Sequence, residues 1–276
     1  MMRRFYDQKF RPRSEGDWNK PGQWNRAAQK RGHGERRQLV MVDFDPFADR
    51  SGIEGVHVIA DDQRMIRLFA MIEQCSALEW LIVTKCPQNI RAMVPGTWLP
   101  FQTFGVKREW PKNCTIGVRF SALGDANNRI PYITALPAQL RVVVVSPRQR
   151  MDIGALLQAH GIGWVIAMGE TWAMHPDWIR AIRDAATGAK IPFWFDSWGR
   201  WMPTSTGREF TKPRVEYGVE VVTKIGRGCM IYTSCAPGEY PDAQPVELVG
   251  PRRSGRVLDG REWTESPRIG KRGSHD

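Results

Sequence analysis

The amino-acid sequence predicts an α/β protein in which parallel βα units form a partial TIM-like barrel, followed by a loop- and β-rich extension. Two observations lead to this prediction: short apolar runs recur through the middle of the chain, and helical patterns occupy several of the gaps between them. Continuous runs of Val, Ile, Trp and Phe are typical of strands buried on both faces, as in parallel sheets. The spacing of strand, helix and strand favours parallel βα units.

Apolar runs predict the strands, and they lie at residues 38–43, 79–84, 114–120, 139–145, 163–167 and 191–196. These are fewer strands than the eight of a closed barrel. A partial barrel or an open sheet is therefore the expected architecture.

Helical patterns fill three of the gaps. Asp61 is the expected N-cap of a helix whose apolar side chains recur with helical spacing at Met65, Leu68, Phe69 and Ile72. Two further helices are predicted over residues 151–160 and 176–187, the second with Pro176 in its first turn. Each is followed by a glycine that can end it.

Composition divides the chain into three parts: a basic, aromatic N-terminal arm over 1–37, the partial barrel over 38–201, and the extension over 202–276. The arm is poor in aliphatic residues and is expected to dock by its aromatic side chains or to lack order in part. In the extension, residues 215–223 and 229–233 alternate in polarity and predict a β-hairpin or an extended excursion.

The net charge of +11 is concentrated at the two ends of the chain. Residues 1–37 hold 11 lysines and arginines against 4 acidic residues, and residues 250–276 hold 7 against 4. Basic terminal segments can neutralise phosphates without reading a base sequence, although a solvated tail is an equally open interpretation. The candidate nucleic-acid-binding residues are Arg3, Arg4, Arg11, Arg13, Lys30 and Arg31.

Several classes of protein are excluded by what the sequence lacks. No apolar stretch is long enough for a membrane helix, and the charged first residues do not form a signal peptide. The odd number of cysteines, 5, is typical of reduced thiols in a cytoplasm, so we expect a cytoplasmic protein with no membrane partner. The spacing of cysteines and histidines predicts no metal site, and no phosphate-binding loop or nucleophile elbow is present.

The loops after the predicted strands hold the candidate site, because chemistry in parallel α/β folds gathers at the carboxyl ends of the strands. Acids, a lysine and an arginine in one cleft could bind a cation, position a base or hold a phosphate. Aspartates after strands also commonly cap the next turn, and a lone histidine has many structural uses. The expected catalytic residues are Asp43, Lys85, Glu170 and His175, and the expected substrate-binding residues are Asp45, Arg119, Asp196 and Trp198.

Several of these loops taken together resemble a known family. The resemblance lies in residues 40–47, 83–87, 129–131, 136–141, 164–170, 174–180, 192–195, 198–201 and 255–263. As a set, they resemble the phage family of unknown function called gene product 37/68, whose members look like radical-SAM partial barrels. The resemblance covers about residues 38–267 and is specific only as a set.

The resemblance implies an iron–sulfur cluster, but this chain lacks the three cysteines that bind the cluster in the family. Family members open with a strand and a three-cysteine loop for a [4Fe–4S] cluster and S-adenosylmethionine, whereas the first cysteine here is Cys75. The resemblance also places the start of this chain near the end of that loop. Asp43, Lys85, Glu170 and His175 keep the family pattern, while the positions that depart from it are Cys86, Ser121, Ser146 and Asp196.

Three explanations of the missing cysteines remain open: a segment that precedes the chain, a separate polypeptide, or a divergent member that has lost the cluster. We favour the last, because positions other than the cysteines have changed too. The leading hypothesis is a phage-encoded, cluster-free barrel protein without a cofactor of its own. It would bind a nucleotide or nucleic acid as part of a base- or nucleotide-modifying system, and deletion of residues 1–37 should abolish this salt-dependent binding.

The alternatives are a radical-SAM-type enzyme and a non-catalytic protein-interaction scaffold. In the first, a missing segment or a phage-encoded protein partner supplies the [4Fe–4S] cluster that binds S-adenosylmethionine.

Overall fold

The structure is a computed structural model. It describes residues 6–31, 38–48, 58–99, 109–203, 219–222, 228–230, 244–249 and 254–267. At 58–62 and at most of the described positions in 219–247, it describes the backbone but not the side chains. The candidate residues Arg3 and Arg4 lie outside these ranges.

Seven parallel strands form one sheet, with the strands in the same order as in the chain. The protein is therefore an α/β protein with a partial barrel, which confirms the predicted fold class. The strands are β1 Gln8–Phe10, β2 Gln38–Val42, β3 Leu78–Thr84, β4 Cys114–Phe120, β5 Arg141–Val145, β6 Trp164–Met168 and β7 Phe193–Ser197.

Helices occupy the connections between these strands. They are α1 Glu15–Trp18, α2 Lys20–Lys30, α3 Val58–Gln74, α4 Ile90–Met93, α5 Leu123–Thr134, α6 Gly154–Ala159 and α7 Pro176–Gly188. The prediction that Asp61 caps α3 is wrong, because the helix begins at Val58. None of the helices in the described part of the chain is long and apolar enough to cross a membrane.

The chain divides into two compact units. The first holds Met1–Arg119, Asn128–Val142 and Pro267–Asp276, and the second holds Phe120–Asn127 and Val143–Ser266. The three-part division expected from composition stays a prediction.

In the first unit, the N-terminal segment supplies a strand that the sequence did not predict. β1 pairs in parallel with β2, with Phe10 opposite Val42. Phe10 is 1% exposed, and its ring packs edge-on against Trp18 and Trp80 at centroid distances of 5.3 and 5.8 Å. Residues 8–18 therefore belong to the sheet and its core.

The apolar face predicted for α3 is packed in the same unit. Leu68, Phe69 and Ile72 are buried. Phe69 stacks on Phe47 at 6.3 Å and meets the edge of Trp98 at 5.1 Å. The helical spacing in the sequence therefore identified the buried face, although it misplaced the start of the helix.

In the second unit, residues 263–265 run antiparallel to β7. The backbone N–H of Phe195 donates to the Trp263 carbonyl at 2.9 Å, and that of Glu265 donates to the Phe193 carbonyl at 3.1 Å. A single bridge between Trp194 and Thr264 completes this pairing. The outer side of β7 is thus hydrogen-bonded to the C-terminal segment.

Two small sheets follow the barrel strands, and all their strands lie in the second unit. The first sheet consists of β8 Trp201–Pro203, β9 Val219–Val222, β10 Gly228–Met230 and β11 Gln244–Leu248, in the order β10-β9-β11-β8. The two strands of the predicted hairpin, β9 and β10, pair antiparallel as expected. A second hairpin turns at Asp259 and Gly260, with φ of 53° and 77°, as a two-residue turn of the Asp-Gly type requires. The strands of this second hairpin are β12 Val257–Leu258 and β13 Arg261–Glu262.

The turn residue Asp259 fixes this hairpin to α7. Its carboxylate accepts hydrogen bonds from Nε and Nη2 of Arg180 at 2.8 and 2.7 Å, and it also pairs with Arg183. The hydrogen bond from Arg180 is the largest cause of a lowered pKa of Asp259. A carboxylate held by two guanidinium groups favours its charged form, so the contact is an ionic one.

Candidate functional site

In the first unit, Asp43 follows β2 and is paired with cations from the N-terminal segment. Its Oδ2 lies 2.9 Å from Nζ of Lys9 and 3.6 Å from Nη1 of Arg11. Its backbone N–H donates to the carbonyl of Phe10 at 2.9 Å. The structure thus brings together two predicted residues, Asp43 and Arg11, which the sequence had placed in different sites.

Asp45 has a clear structural role. Its carboxylate accepts the backbone N–H of Phe47 at 3.0 Å and that of Lys85 at 2.8 Å. It therefore caps its own turn and ties the loop after β2 to the end of β3, as the capping interpretation predicts. The side chain of Lys85 is exposed. Substrate binding by Asp45 and catalysis by Lys85 stay predictions.

Arg119 lies inside β4, one residue before its end, and is half-buried. Its carbonyl accepts a hydrogen bond from Nη1 of Arg129 at 2.9 Å. Its predicted substrate-binding role remains a prediction.

In the second unit, the loops after β6 and β7 approach so closely that both need glycine. A Cβ on Gly169 would lie 2.1 Å from the carbonyl carbon of Trp198, and one on Gly199 would lie 2.4 Å from the carbonyl oxygen of Glu170. Gly199 also has a φ of +78°, which favours glycine. The N–H of Gly169 donates to Ser197 at 2.7 Å. These contacts fix the backbone of Glu170 beside the loop that follows β7.

His175 caps helix α7. It is 5% exposed, and its Nδ1 accepts the backbone N–H of Asp177 at 3.0 Å. In the neutral imidazole the proton therefore sits on Nε2. This hydrogen bond gives His175 a structural role as the N-cap of α7. Its catalytic role stays a prediction.

Trp198 is packed into the second unit. It is 4% exposed, its indole N–H donates to the carbonyl of Val257 at 3.1 Å, and its ring meets the edge of Phe195 at 4.8 Å. Asp196, within β7, is half-buried. The substrate-binding roles expected of Trp198 and Asp196 stay predictions. The ring of Trp198 already packs against Phe195.

The described members of the candidate nucleic-acid surface are exposed: Arg11, Arg13, Lys30 and Arg31. Arg31 contributes one weak contact, from Nη2 to Oε1 of Gln38 at 3.4 Å. The structure therefore leaves these cations at the protein surface.

Sequence reasoning missed a group of side chains in the loops after β5, β6 and β7. The indole N–H of Trp172 donates to Pro147 at 2.9 Å, and the guanidinium of Arg148 lies 4.3 Å from the centre of the Trp172 ring. The indole N–H of Trp201 donates to Thr171 at 3.0 Å. The signal that could have found them is their position directly after strands, which drew attention to Trp198 and to acidic residues of these loops but not to Trp172 and Arg148.

The described cysteines differ in burial: Cys75 and Cys114 are buried, and Cys86 is half-buried. Burial raises the pKa of the Cys75 thiol, and burial together with the nearby Glu79 raises the pKa of the Cys114 thiol well above its ordinary value. The segment that follows β1 carries Arg11 and Arg13 and no cysteine.

Groups of metal-binding side chains are also lacking in the described part of the chain: it contains no cluster of three or more His, Cys, Asp or Glu that could hold a metal ion.

Neither a curated protein nor a solved structure shows significant similarity to the chain. One family does match, over residues 6–267, and it is described as a protein of unknown function, DUF5131. The match includes β1, which the resemblance noted in the sequence left out. That description names neither a phage origin nor an activity. The chain belongs to the DUF5131 family of proteins of unknown function.

Proposed function

We propose that the protein binds nucleic acid or a nucleotide through a basic surface of its first unit. This surface, the α2 surface, consists of Arg13, Arg26, Lys30 and Arg31, all of which are exposed. The observation that carries the proposal is that these cations are exposed while neighbouring acids are already paired.

The acids of this region are neutralised locally. Glu15 pairs with Arg67 at 2.6 Å. The carboxylate of Asp17 accepts the backbone N–H groups of Arg13 and Ser14 at 2.9 and 3.0 Å, and the hydrogen bond from Lys20 is the largest cause of its lowered pKa. Residues 18–34 contain no acid at all. The surface therefore has a net positive charge that local carboxylates do not cancel.

A surface of this kind suits phosphates. Lysine and arginine side chains that neutralise phosphates release condensed counterions, which makes the affinity fall as the salt concentration rises. Such contacts need no base recognition, so the proposal concerns the phosphate backbone and not a sequence.

The finer parts of the proposal concern chemistry. We assign the protein to a cluster-free group that acts with phage-encoded partners on bases or nucleotides in the host cytoplasm. Asp43 and Lys85 in the first unit, and Glu170 and His175 in the second, are the candidates for chemistry on the bound group. The departures from the family pattern at Cys86, Ser121, Ser146 and Asp196 support the cluster-free form of this proposal.

The test is a titration of a fluorescent oligonucleotide with the full chain at salt concentrations between about 50 and 200 mM. The double variant Arg26→Gln/Lys30→Gln should bind more weakly, with a salt slope lower by about 1.8 if each side chain neutralises one phosphate. The matched control Lys112→Gln/Lys190→Gln removes the same charge from other exposed positions and should leave the slope unchanged.

Absent binding, or binding that does not respond to salt, would overturn the proposal. Equal effects of the two double variants would also do so, because net charge alone would then explain the affinity. Deletion of residues 1–37 is a poor test, since it removes β1 and the buried Phe10.

A further inference from the structure

Three loops of the second unit are tied to one another by tryptophan side chains. Trp172, after β6, donates its indole N–H to Pro147 after β5, and Trp201, after β7, donates to Thr171 after β6. The backbone N–H of Arg200 adds a bond to the Glu170 carbonyl at 2.9 Å. The indole nitrogens are thus held by backbone groups, which fixes the positions of both rings.

These rings retain exposed surface. Trp172 and Trp201 are both half-buried, unlike Trp198, which is 4% exposed. The exposed Arg148 lies with its guanidinium 4.3 Å from the centre of the Trp172 ring. A guanidinium plane stacked on an indole offers its outer face to a further planar group. We call Trp172, Trp201, Arg148 and Arg200 the tryptophan rim.

The charge of these loops is nearly balanced. Two acids in these loops, Asp152 and Glu170, offset two of the three arginines, which are Arg148, Arg150 and Arg200. Phosphate attraction is therefore small on this side, and stacking is the larger source of affinity that the rim offers.

We infer that the tryptophan rim is a stacking surface for the bases of single-stranded nucleic acid. The inference rests on the proposed function, that the protein binds nucleic acid, and names the class of strand. Bases in a duplex are stacked on each other and do not expose their faces, whereas unpaired bases stack on aromatic side chains and on arginine planes. The rim selects single strands, and the α2 surface binds the phosphates of either form.

The experiment compares a single-stranded oligonucleotide with a duplex of the same length, bound to the full chain. Trp172→Leu and Trp201→Leu should each weaken single-strand binding about tenfold, in line with the loss of one stacked base. Duplex affinity and the salt slope should not change. Trp172→Phe keeps a ring but loses the bond to Pro147, and it should retain most of the affinity.

Two further variants guard the interpretation. Tyr132→Leu removes an exposed aromatic ring from α5 and should have no effect. Arg148→Ala removes an exposed side chain and should weaken single-strand binding several-fold, so the test holds even if a tryptophan variant fails to fold.

Equal affinity of the unchanged protein for single strand and duplex would overturn the inference and leave the proposed function standing. So would unchanged single-strand affinity in both Trp172→Leu and Arg148→Ala, or an equal loss in Trp172→Phe and Trp172→Leu. A chain that binds no nucleic acid at all would remove both.

Discussion

Both ends of the chain are basic, but the cations that the structure describes at the two ends differ in their surroundings. In the N-terminal segment, Arg26 and Lys30 are exposed on a helix that contains no acid. In the C-terminal segment, Arg256 is 4% exposed and bonded to Glu262, and Arg261 lies 3.4 Å from the centre of the Trp263 ring. A count of charges therefore does not separate cations that face solvent from those that hold the fold together.

The difference follows from how acids and aromatic residues are placed along each segment. Near the C-terminus, Asp259, Glu262 and Trp263 alternate with arginines within a short hairpin, so each cation has a partner close by. Near the N-terminus, Glu15 and Asp17 precede α2 and pair with Arg67 and Lys20, so neither acid pairs with Arg26 or Lys30. We expect the paired cations of the C-terminal hairpin to stabilise the fold. We expect the exposed cations of α2 to be available to a negatively charged binding partner.

The largest expected effect tests whether the N-terminal segment belongs to the core. Phe10→Ala should lower the free energy of unfolding by about 3–5 kcal/mol, because it empties a site packed between two tryptophans. Urea denaturation measures this. Ile66→Ala, at a position 68% exposed, is the control and should change little. A loss under about 1 kcal/mol for Phe10→Ala would show that residues 8–18 are a detachable arm after all.

Asp259→Ala should be next in size, at about 2 kcal/mol. It removes the partner of Arg180 and Arg183 and places alanine at a positive φ. Asp259→Asn tolerates that backbone better and should cost less. Asp184→Asn breaks one pair at a side chain that is 65% exposed and should fall within about 0.5 kcal/mol. Equal losses for Asp259→Ala and Asp184→Asn would argue against the hairpin–α7 contact as a stabilising one.

Acid should weaken both ends of the chain. The pKa of Asp259 is lowered below its ordinary value of 3.8, chiefly by Arg180, and the pKa of Asp17 is lowered chiefly by Lys20. Because the folded pKa lies below the unfolded one, the stabilisation is complete well above pH 3.8 and is lost as the pH falls through the folded value. Unfolding free energies measured from pH 7 to pH 3 should fall more steeply in the unchanged protein than in Asp259→Asn. Parallel profiles would contradict the ionic role of Asp259.

The smallest effect on stability is expected at the α2 surface. Arg26→Gln/Lys30→Gln should change the free energy of unfolding by no more than about 0.5 kcal/mol, because both side chains are exposed. Arg256→Gln makes the same kind of change at a buried position bonded to Glu262 and should cost about 1–3 kcal/mol. Thermal melts of the variants check the contrast. Equal losses of unfolding free energy in Arg26→Gln/Lys30→Gln and Arg256→Gln would contradict the view that the first pair faces solvent while Arg256 stabilises the fold.

The sequence predicted the central strands well because each is a continuous apolar run. The predicted strand 114–120 has the bounds of β4, and the other five differ from the observed strands by one or two residues at an end. β1 escaped prediction because it has only 3 residues, Gln8–Phe10, set among charges, and its burial comes from distant Trp80. Helix α5 escaped because Pro131 and several polar residues interrupt its pattern.

The candidate site was predicted less completely, because position after a strand does not tell what a side chain contacts. The same loop position led to Asp45, which caps a turn, and to Asp43, which pairs with Lys9 and Arg11. The close approach of Gly169 and Gly199 depends on two loops far apart in the chain, so neither glycine stood out alone. Asp259 was missed as an ionic centre because its arginine partners lie 76 and 79 residues away.

The pairing of residues 263–265 with β7 has a consequence for synthesis of the protein on the ribosome. While the chain is being synthesised, the outer edge of β7 and its backbone N–H and C=O groups stay unpaired until residues 263–265 leave the ribosome. During that interval two nascent chains can join through their uncovered strands. A product shortened before Trp263 would keep this edge open permanently and should aggregate.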